Sequence, residues 1–274
     1  MKYSGVFLIS NPSAQLDASR KLVSALVHSI EAHAHSANRQ PEAWTLTDLI
    51  LRDVPPQQST QSNNNAPPWT HSYMHNLHLS YLSPDSAYIF VQRPALHPPM
   101  KQEGAGQQAA TPAYTASEMV QIPREQTAEL YNNHILPAWS QLWTPQRTLE
   151  VPYGIVYKIR DTTIHIGELH SKRQGPQSAN VLYPGVVVCI TRTCGTSDDD
   201  LGLKQSSDER LAPDDIADVQ KDIHQLWKDV SAGVDFGKGE TREFMQIVQD
   251  FEGSKEKERE AVVQMWAEAL RMRG

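Results

Sequence analysis

Apolar positions recur along this chain in two rhythms, and their order predicts an alternation of strands and helices. Residues 5–9, GVFLI, form an unbroken apolar run closed by Asn11 and Pro12, which predicts a short buried strand. Directly after it, Leu16, Leu22, Val23, Leu26, Val27 and Ile30 share one face at helical spacing. Trp44, Leu46, Leu49 and Leu51 alternate imperfectly, as a strand does. Leu77, Leu79 and Tyr81 alternate with His78 and Ser80, and Ser83-Pro84-Asp85-Ser86 then turns the chain into Tyr88-Ile89-Phe90-Val91, a hairpin signature.

The second half repeats the logic. Ala128, Tyr131, Ile135, Ala138, Trp139 and Leu142 predict a helix over about 125–143, broken or kinked at Pro137. Ile155, Tyr157 and Ile159 alternate with Lys158 and Arg160, a turn falls at Asp161-Thr162, and Ile164 and Ile166 resume the alternation. Gly185 to Ile190 is apolar on both faces, so this strand belongs in the middle of its sheet and completes a meander. Pro213, followed by Asp214 and Asp215, opens a helix striped by Ile216, Val219, Ile223, Leu226, Trp227 and Val230. A short helix is expected over about 241–251, and a last one over 256–271, where Val262, Met265, Trp266, Ala269 and Leu270 oppose a charged face.

Two stretches interrupt this pattern. Val54 to Pro84 contains no Lys, Arg, Asp or Glu, and QQSTQSNNNAPP within it is a polar tract with too little apolar surface to order itself. Arg93 to about residue 118 is rich in Pro, Gly, Ala and Gln. Insertions are therefore expected at about 55–70 and 93–118, inside one domain spanning residues 1–274.

Composition narrows the function classes. The net charge of -7 has the wrong sign for a protein that tracks phosphate backbones. The longest apolar run, Val186 to Ile190, is far short of the ~18 residues that span a bilayer. The N-terminus lacks a small-residue cleavage pattern before Asn11-Pro12, which argues against a signal peptide. Two cysteines, Cys189 and Cys194, fit a reduced cytosolic or nuclear compartment.

Candidate chemistry is sparse. Gly104-Ala-Gly106 lies in a low-complexity loop without the strand and helix that a dinucleotide site requires. Gly233 to Lys238 has the wrong spacing and no Ser or Thr for a phosphate loop. The pairs His33/His35, His71/His75 and His75/His78 have no third ligand at a recognised spacing, and His71, His75 and His78 flank an uncharged loop with no nearby Asp or Glu. Cys189 and Cys194 read as a core cysteine and an incidental one, and Asp198-Asp199-Asp200 as a solvated loop. No catalytic site, cofactor or metal is expected. The rival readings are a small metal-dependent or hydrolytic cytosolic enzyme built on the His-rich strands, and a stand-alone DNA-binding protein with a concentrated basic face.

The segments VPYGIVYKIRDTTIHIGEL and GVVVCITRT resemble the Mediator complex subunit 20 family, the TATA-binding-protein-related subunit of the head module. The opening GVFLI strand and its helix, MHNLHLSYLSPDSAYIF, AELYNNHILPAWSQLW, VQKDIHQLWKDV and FMQIVQDF follow in that family's order. The two insertions look like additions of the fungal type. The resemblance implies an α+β fold, an antiparallel sheet curved toward a barrel with helices packed on it. It also implies a non-enzymatic, nuclear role, pairing with subunit 18, tethered to the head through subunit 8, and linking activators to RNA polymerase II. DNA binding does not follow from that fold kinship: with the acidic total and Phe7, Phe90, Phe236, Phe244 and Phe251 scattered, no direct nucleic-acid contact is expected. Nor is a membrane or a small-molecule substrate. Partner contact is expected on the apolar face of the last helix, at Val262, Met265, Trp266 and Leu270, or along open edges of the meander.

Overall fold

The computed structural model describes residues 2–33, 36–55, 70–94, 114–135, 137, 141–173, 180–193, 213–247 and 254–271. Among the described residues ten strands form one sheet: β1 (Lys2–Ser10), β2 (Asn38–Arg39), β3 (Trp44–Asp53), β4 (Tyr73–Leu79), β5 (Ser86–Pro94), β6 (Tyr114–Pro123), β7 (Trp143–Ile159), β8 (Thr162–Arg173), β9 (Val181–Thr193) and β10 (Thr241–Met245). The helices are α1 (Leu16–His33), the single turn α2 (Thr127–Leu130), α3 (Pro213–Ser231) and α4 (Lys255–Leu270). Strand order is β10-β1-β9-β8-β7-β3-β4-β5-β6, with β2 pairing off this path to β7, and each pairing is antiparallel. The fold is α+β with an antiparallel sheet that curves and does not close.

Helix α4 reveals the curvature. It packs against β1 and β10 at one end of the sheet and against β4 and β5 at the other. Between β1 and β4 lie β9, β8, β7 and β3. At about 4.8 Å per strand, a flat sheet would hold β1 and β6, seven steps apart, roughly 34 Å from one another, yet Glu258 and Arg259, neighbours on α4, reach Lys2 of β1 and Gln121 of β6. The sheet therefore cups α4, and the concave side encloses the first core: Val6, Trp44, Leu46, Leu77, Tyr88, Phe90, Val151, Val187 and the buried side of α4.

The convex side is covered in two pieces. Over β1, β8 and β9, helices α1 and α3 bury Phe7, Ile9, Leu26, Ile30, Ile164, Val188 and Ile223, with the Trp227 indole stacked on Phe7 at 4.4 Å. Over β3, β4 and β5, the segment from Arg124 to Ile135 covers Leu51 and Met74 with Ile135. Strands that are covered on both sides explain the continuous apolar runs: β9 is buried from Gly185 to Thr191, between β8 and β1. Gly185 is required there, because a Cβ would overlap the Ile9 carbonyl of β1.

Four expectations need correction. The helix expected over 125–143 is a 3₁₀ turn at Arg124–Gln126, one α turn and a π turn at Tyr131–Ile135, and Trp143 begins β7. The segment is helical from Arg124 to Ile135 and again at Pro137, in short turns of different pitch, and a proline with no N–H to give the ladder fits such an interrupted helix, as the expected break at Pro137 anticipates. The region from 241 onward forms strand β10 instead of a helix: pairing with β1 sends Phe244 toward the concave core and Met245 toward the convex one. The insertion expected over 93–118 is narrower, since β5 runs to Pro94 and β6 starts at Tyr114. The hairpin turn after β7 falls at Arg160-Asp161, one residue early, with Arg160 at φ 50°. The tract at 56–69, the remainder at 95–113, and Trp139, Cys194 and Asp198 to Asp200 lie outside the described residues.

Candidate interaction surface

The four residues expected to meet a partner lie in the chain's own core. Val262 is 4% exposed, Met265 2%, and Trp266 and Leu270 0%. Val263, Ala267 and Ala269 are buried as well, so the C-terminal half of α4 is enclosed on almost all sides. This corrects the expectation for that face: the surface offered to a partner is occupied by the concave side of the sheet. The amphipathic pattern was right and its cover came from within.

The groups with chemical potential are also turned inward. The Trp266 indole N–H donates to the Tyr81 hydroxyl at 2.6 Å, and that hydroxyl lies 3.8 Å from the Cys189 thiol. Burial pushes the Tyr81 phenol well above its usual range and the Cys189 thiol up to about 11, so both stay neutral. The His165 ring stacks on Tyr81 at 4.4 Å and meets Trp44 edge-on at 5.7 Å. Burial, aided by the Lys2 charge, holds its pKa down to about 4. A neutral Tyr–His–Cys cluster in which His165 and Cys189 are buried and Tyr81 is partly buried packs as core, and a thiol held protonated is a poor nucleophile.

The histidines that seemed to lack acidic neighbours find them across the sheet. His75 and Asp48, both 0% exposed, bond through Nδ1 and Oδ2 at 2.8 Å, and His71 bonds Asp53 at 2.8 Å. Residue separations of 27 and 18 hid these pairs from sequence reading. The Asp48–His75 arrangement orients an imidazole as a general base requires, yet no solvent reaches either side chain, so no substrate does. Among the described residues no three His, Cys, Asp or Glu converge as a metal site. The Gly233 to Lys238 stretch is an open turn, with Gly233 at φ 76° and Gly237 at φ 58°.

No known family profile matches this chain, and no curated protein does. Among solved structures, a chain in the Mediator head module of Schizosaccharomyces pombe overlays 86% of this chain and 97% of its own, at 10% identity and a TM-score of 0.37. This chain is similar to that one.

What the molecule presents outward is the rim of its sheet. Neither β6 nor β10 has a second strand neighbour among the described residues, so each offers one row of backbone N–H and C=O groups. Val120 of β6 is 57% exposed and Ile247, just past β10, is 48% exposed. A third feature projects from the middle of β7. Its pairing with β8 shifts register between Glu150 and Ile155, and its pairing with β3 shifts beside Trp44. Pro152 and Tyr153 fall in this bulge, which turns the Tyr153 ring outward to 85% exposure while Gly154 makes room for the Trp44 indole. A protruding aromatic side chain on a rigid strand is a suitable anchor for a protein partner.

Proposed function

We propose that this chain is a non-enzymatic subunit of the Mediator head module, acting in the nucleus on RNA polymerase II transcription through protein–protein contacts. In this reading it is one domain over residues 1–274, it pairs with subunit 18, and it is tethered through subunit 8. The observation that carries the proposal is where the segments bearing the family resemblance lie. Residues 5–9, 74–90, 151–169 and 185–193 form β1, β4, β5, most of β7 and β8, and β9. Together they build the wall of one curved antiparallel sheet, the architecture that the resemblance implies. The inward placement of the Tyr–His–Cys cluster and the Asp48–His75 pair is consistent with a scaffold. The open rim at β6 and β10 and the Tyr153 bulge are the surfaces suited to partners.

The test is affinity purification of the tagged full chain from nuclear extract, with mass spectrometry of fractions eluted across a salt gradient. Recovery of subunits 18 and 8 with other head subunits, retained through moderate salt, supports the proposal. Recovery of the chain alone overturns it.

A further inference from the structure

Where α4 ends, the mouth of the concave hollow is lined by arginine. Ile50 of β3 pairs with Arg147 of β7, and Arg147 pairs with Arg173 of β8. Ile50 belongs to the concave core, and directly paired residues point to the same side of a sheet, so both arginines line the hollow. Arg52 pairs with Tyr73 of β4, which packs on the same core. Arg271, just past α4, lies with its guanidinium 5.9 Å from the centre of the Tyr73 ring. Guanidinium groups thus follow one another across β4, β3, β7 and β8. Arg52, Arg147 and Arg271 are partly exposed and Arg173 is exposed, so solvent reaches this row.

Burial lowers the Arg147 pKa, Asp48 and Tyr73 act against it, and Arg173 lowers it again, which sets all three close to the Arg147 charge. Asp48, one step deeper on β3, is bonded to His75. Glu268 is one turn back along α4, and Asp53 faces the other side of the sheet, where it bonds His71. These acids offset only part of the row. The stretches that join strands at this end add no net charge: residues 54–72 and 174–180 contain no Lys, Arg, Asp or Glu, and 95–113 contain one Lys and one Glu. The acidic run Asp198 to Asp200 follows the opposite end of β9, where Thr193 pairs with Lys2. In a chain of net charge -7, positive charge is thus gathered away from the acids, and like charges this close repel one another until a partner supplies negative ones.

We propose that this mouth binds an extended acidic segment of a partner protein, whose carboxylates meet Arg271, Arg52, Arg147 and Arg173 along the row. From β4 to β8 is three strand steps, roughly 14 Å, which an extended peptide covers with about five residues. Guanidinium groups suit carboxylates because two N–H groups of one fork meet two oxygens. A nucleic acid carries its charge far beyond such a row and would meet the acidic remainder of the surface. The inference goes beyond the head-module reading and does not depend on it.

The probe is a rhodamine-labelled hexa-aspartate peptide, with the full-length protein titrated into it at about 20 mM salt and fluorescence anisotropy as the readout. Saturable binding is expected, weakening as salt rises to about 200 mM. Arg173→Gln, at an exposed position, should weaken it about threefold and Arg173→Glu about tenfold, with the unfolding midpoint unchanged. Lys158→Gln, exposed at the opposite end of β7, should leave binding as it was. No saturable binding at low salt would overturn the proposal, as would an Arg173→Glu variant that binds like the parent, or a Lys158→Gln effect as large as that of Arg173→Gln. Tighter binding of a labelled hexathymidylate would assign the row to nucleic acid and refute the acidic peptide as its occupant.

Discussion

Replacing Trp266 by Ala separates a core helix from a docking helix. Trp266 is 0% exposed, lies 5.9 Å from the Trp44 ring, and gives its indole N–H to the Tyr81 hydroxyl. Truncating a buried Trp to Ala costs about 3–5 kcal/mol through lost transfer energy and the cavity left behind. The Tyr81 oxygen would also lose its donor in a dry site, adding about 1 kcal/mol. A sum of roughly 4–6 kcal/mol approaches the entire stability of an ordinary domain, about 5–15 kcal/mol. Trp266→Phe keeps most of the volume and loses the hydrogen bond, so a loss of about 1–2 kcal/mol is expected. The assay is urea unfolding of the isolated full-length chain, followed by far-UV circular dichroism. The Phe variant gives a measurable midpoint shift even where the Ala variant fails to fold. An Ala variant within about 1 kcal/mol of the parent, with an unchanged slope, would refute the placement of α4 inside the sheet.

Two further outcomes follow from the same core. His165 has a pKa near 4 in the fold against 6.5 for the free side chain, so the unfolded chain binds a proton that the folded one refuses between those values. The neutral ring's contribution is present above pH 6.5 and is lost as pH falls toward 4. Stability should therefore drop by about 2 kcal/mol between pH 7 and pH 5, and this part of the drop should disappear in His165→Phe; a parent and variant with parallel urea midpoints across that interval would contradict it. Gly185→Ala should cost about 2–3 kcal/mol, because its Cβ meets the backbone carbonyl of Ile9. Gly237→Ala, with open space around it and φ at 58°, should cost only about 1 kcal/mol in thermal unfolding; a reversed order would show that the β1–β9 contact is looser than described.

The elements that were legible in the sequence are those whose neighbours impose a simple rhythm. β9 shows as a continuous apolar run because helices cover one side and α4 the other, while α1 and α3 show as stripes because only one side of each meets the sheet. β10 was read as a helix because Phe244, Ile247 and Phe251 also suit helical spacing, and five residues are too few for periodicity to decide. What decided was the free edge of β1. β6 was hidden inside a Pro- and Gln-rich stretch, where composition outweighed the short alternation that ends it. For α4, a signal was available: Val263 and Ala267 widen its apolar face beyond one stripe, as a helix enclosed on nearly all sides requires. Buried polar pairs such as Asp48–His75 gave no signal, since strand register alone brings Ile50 opposite His75 and places Asp48 two residues along the same face.

An antiparallel sheet that curls without closing leaves two edge strands, and a helix in its hollow removes the need for closure. Here α4 bridges the gap from within: the Lys2 backbone N–H donates to Glu258 at 3.1 Å on the β1 side, and Arg259 reaches Gln121 of β6 at 3.4 Å on the other. The interior is thus complete without a partner, because Trp266 and Leu270 fill it. The edges are different, because backbone groups on β6 and β10 can be satisfied by water or by another strand with little difference in cost. Binding at such a rim depends on side-chain anchors more than on the backbone row, and exposed ones lie at Val120 and Ile247, with Tyr153 projecting separately from the middle of β7. Substitutions at Val120, Ile247 and Tyr153, whose side chains are exposed, should therefore alter affinity for a partner while leaving the unfolding midpoint almost unchanged.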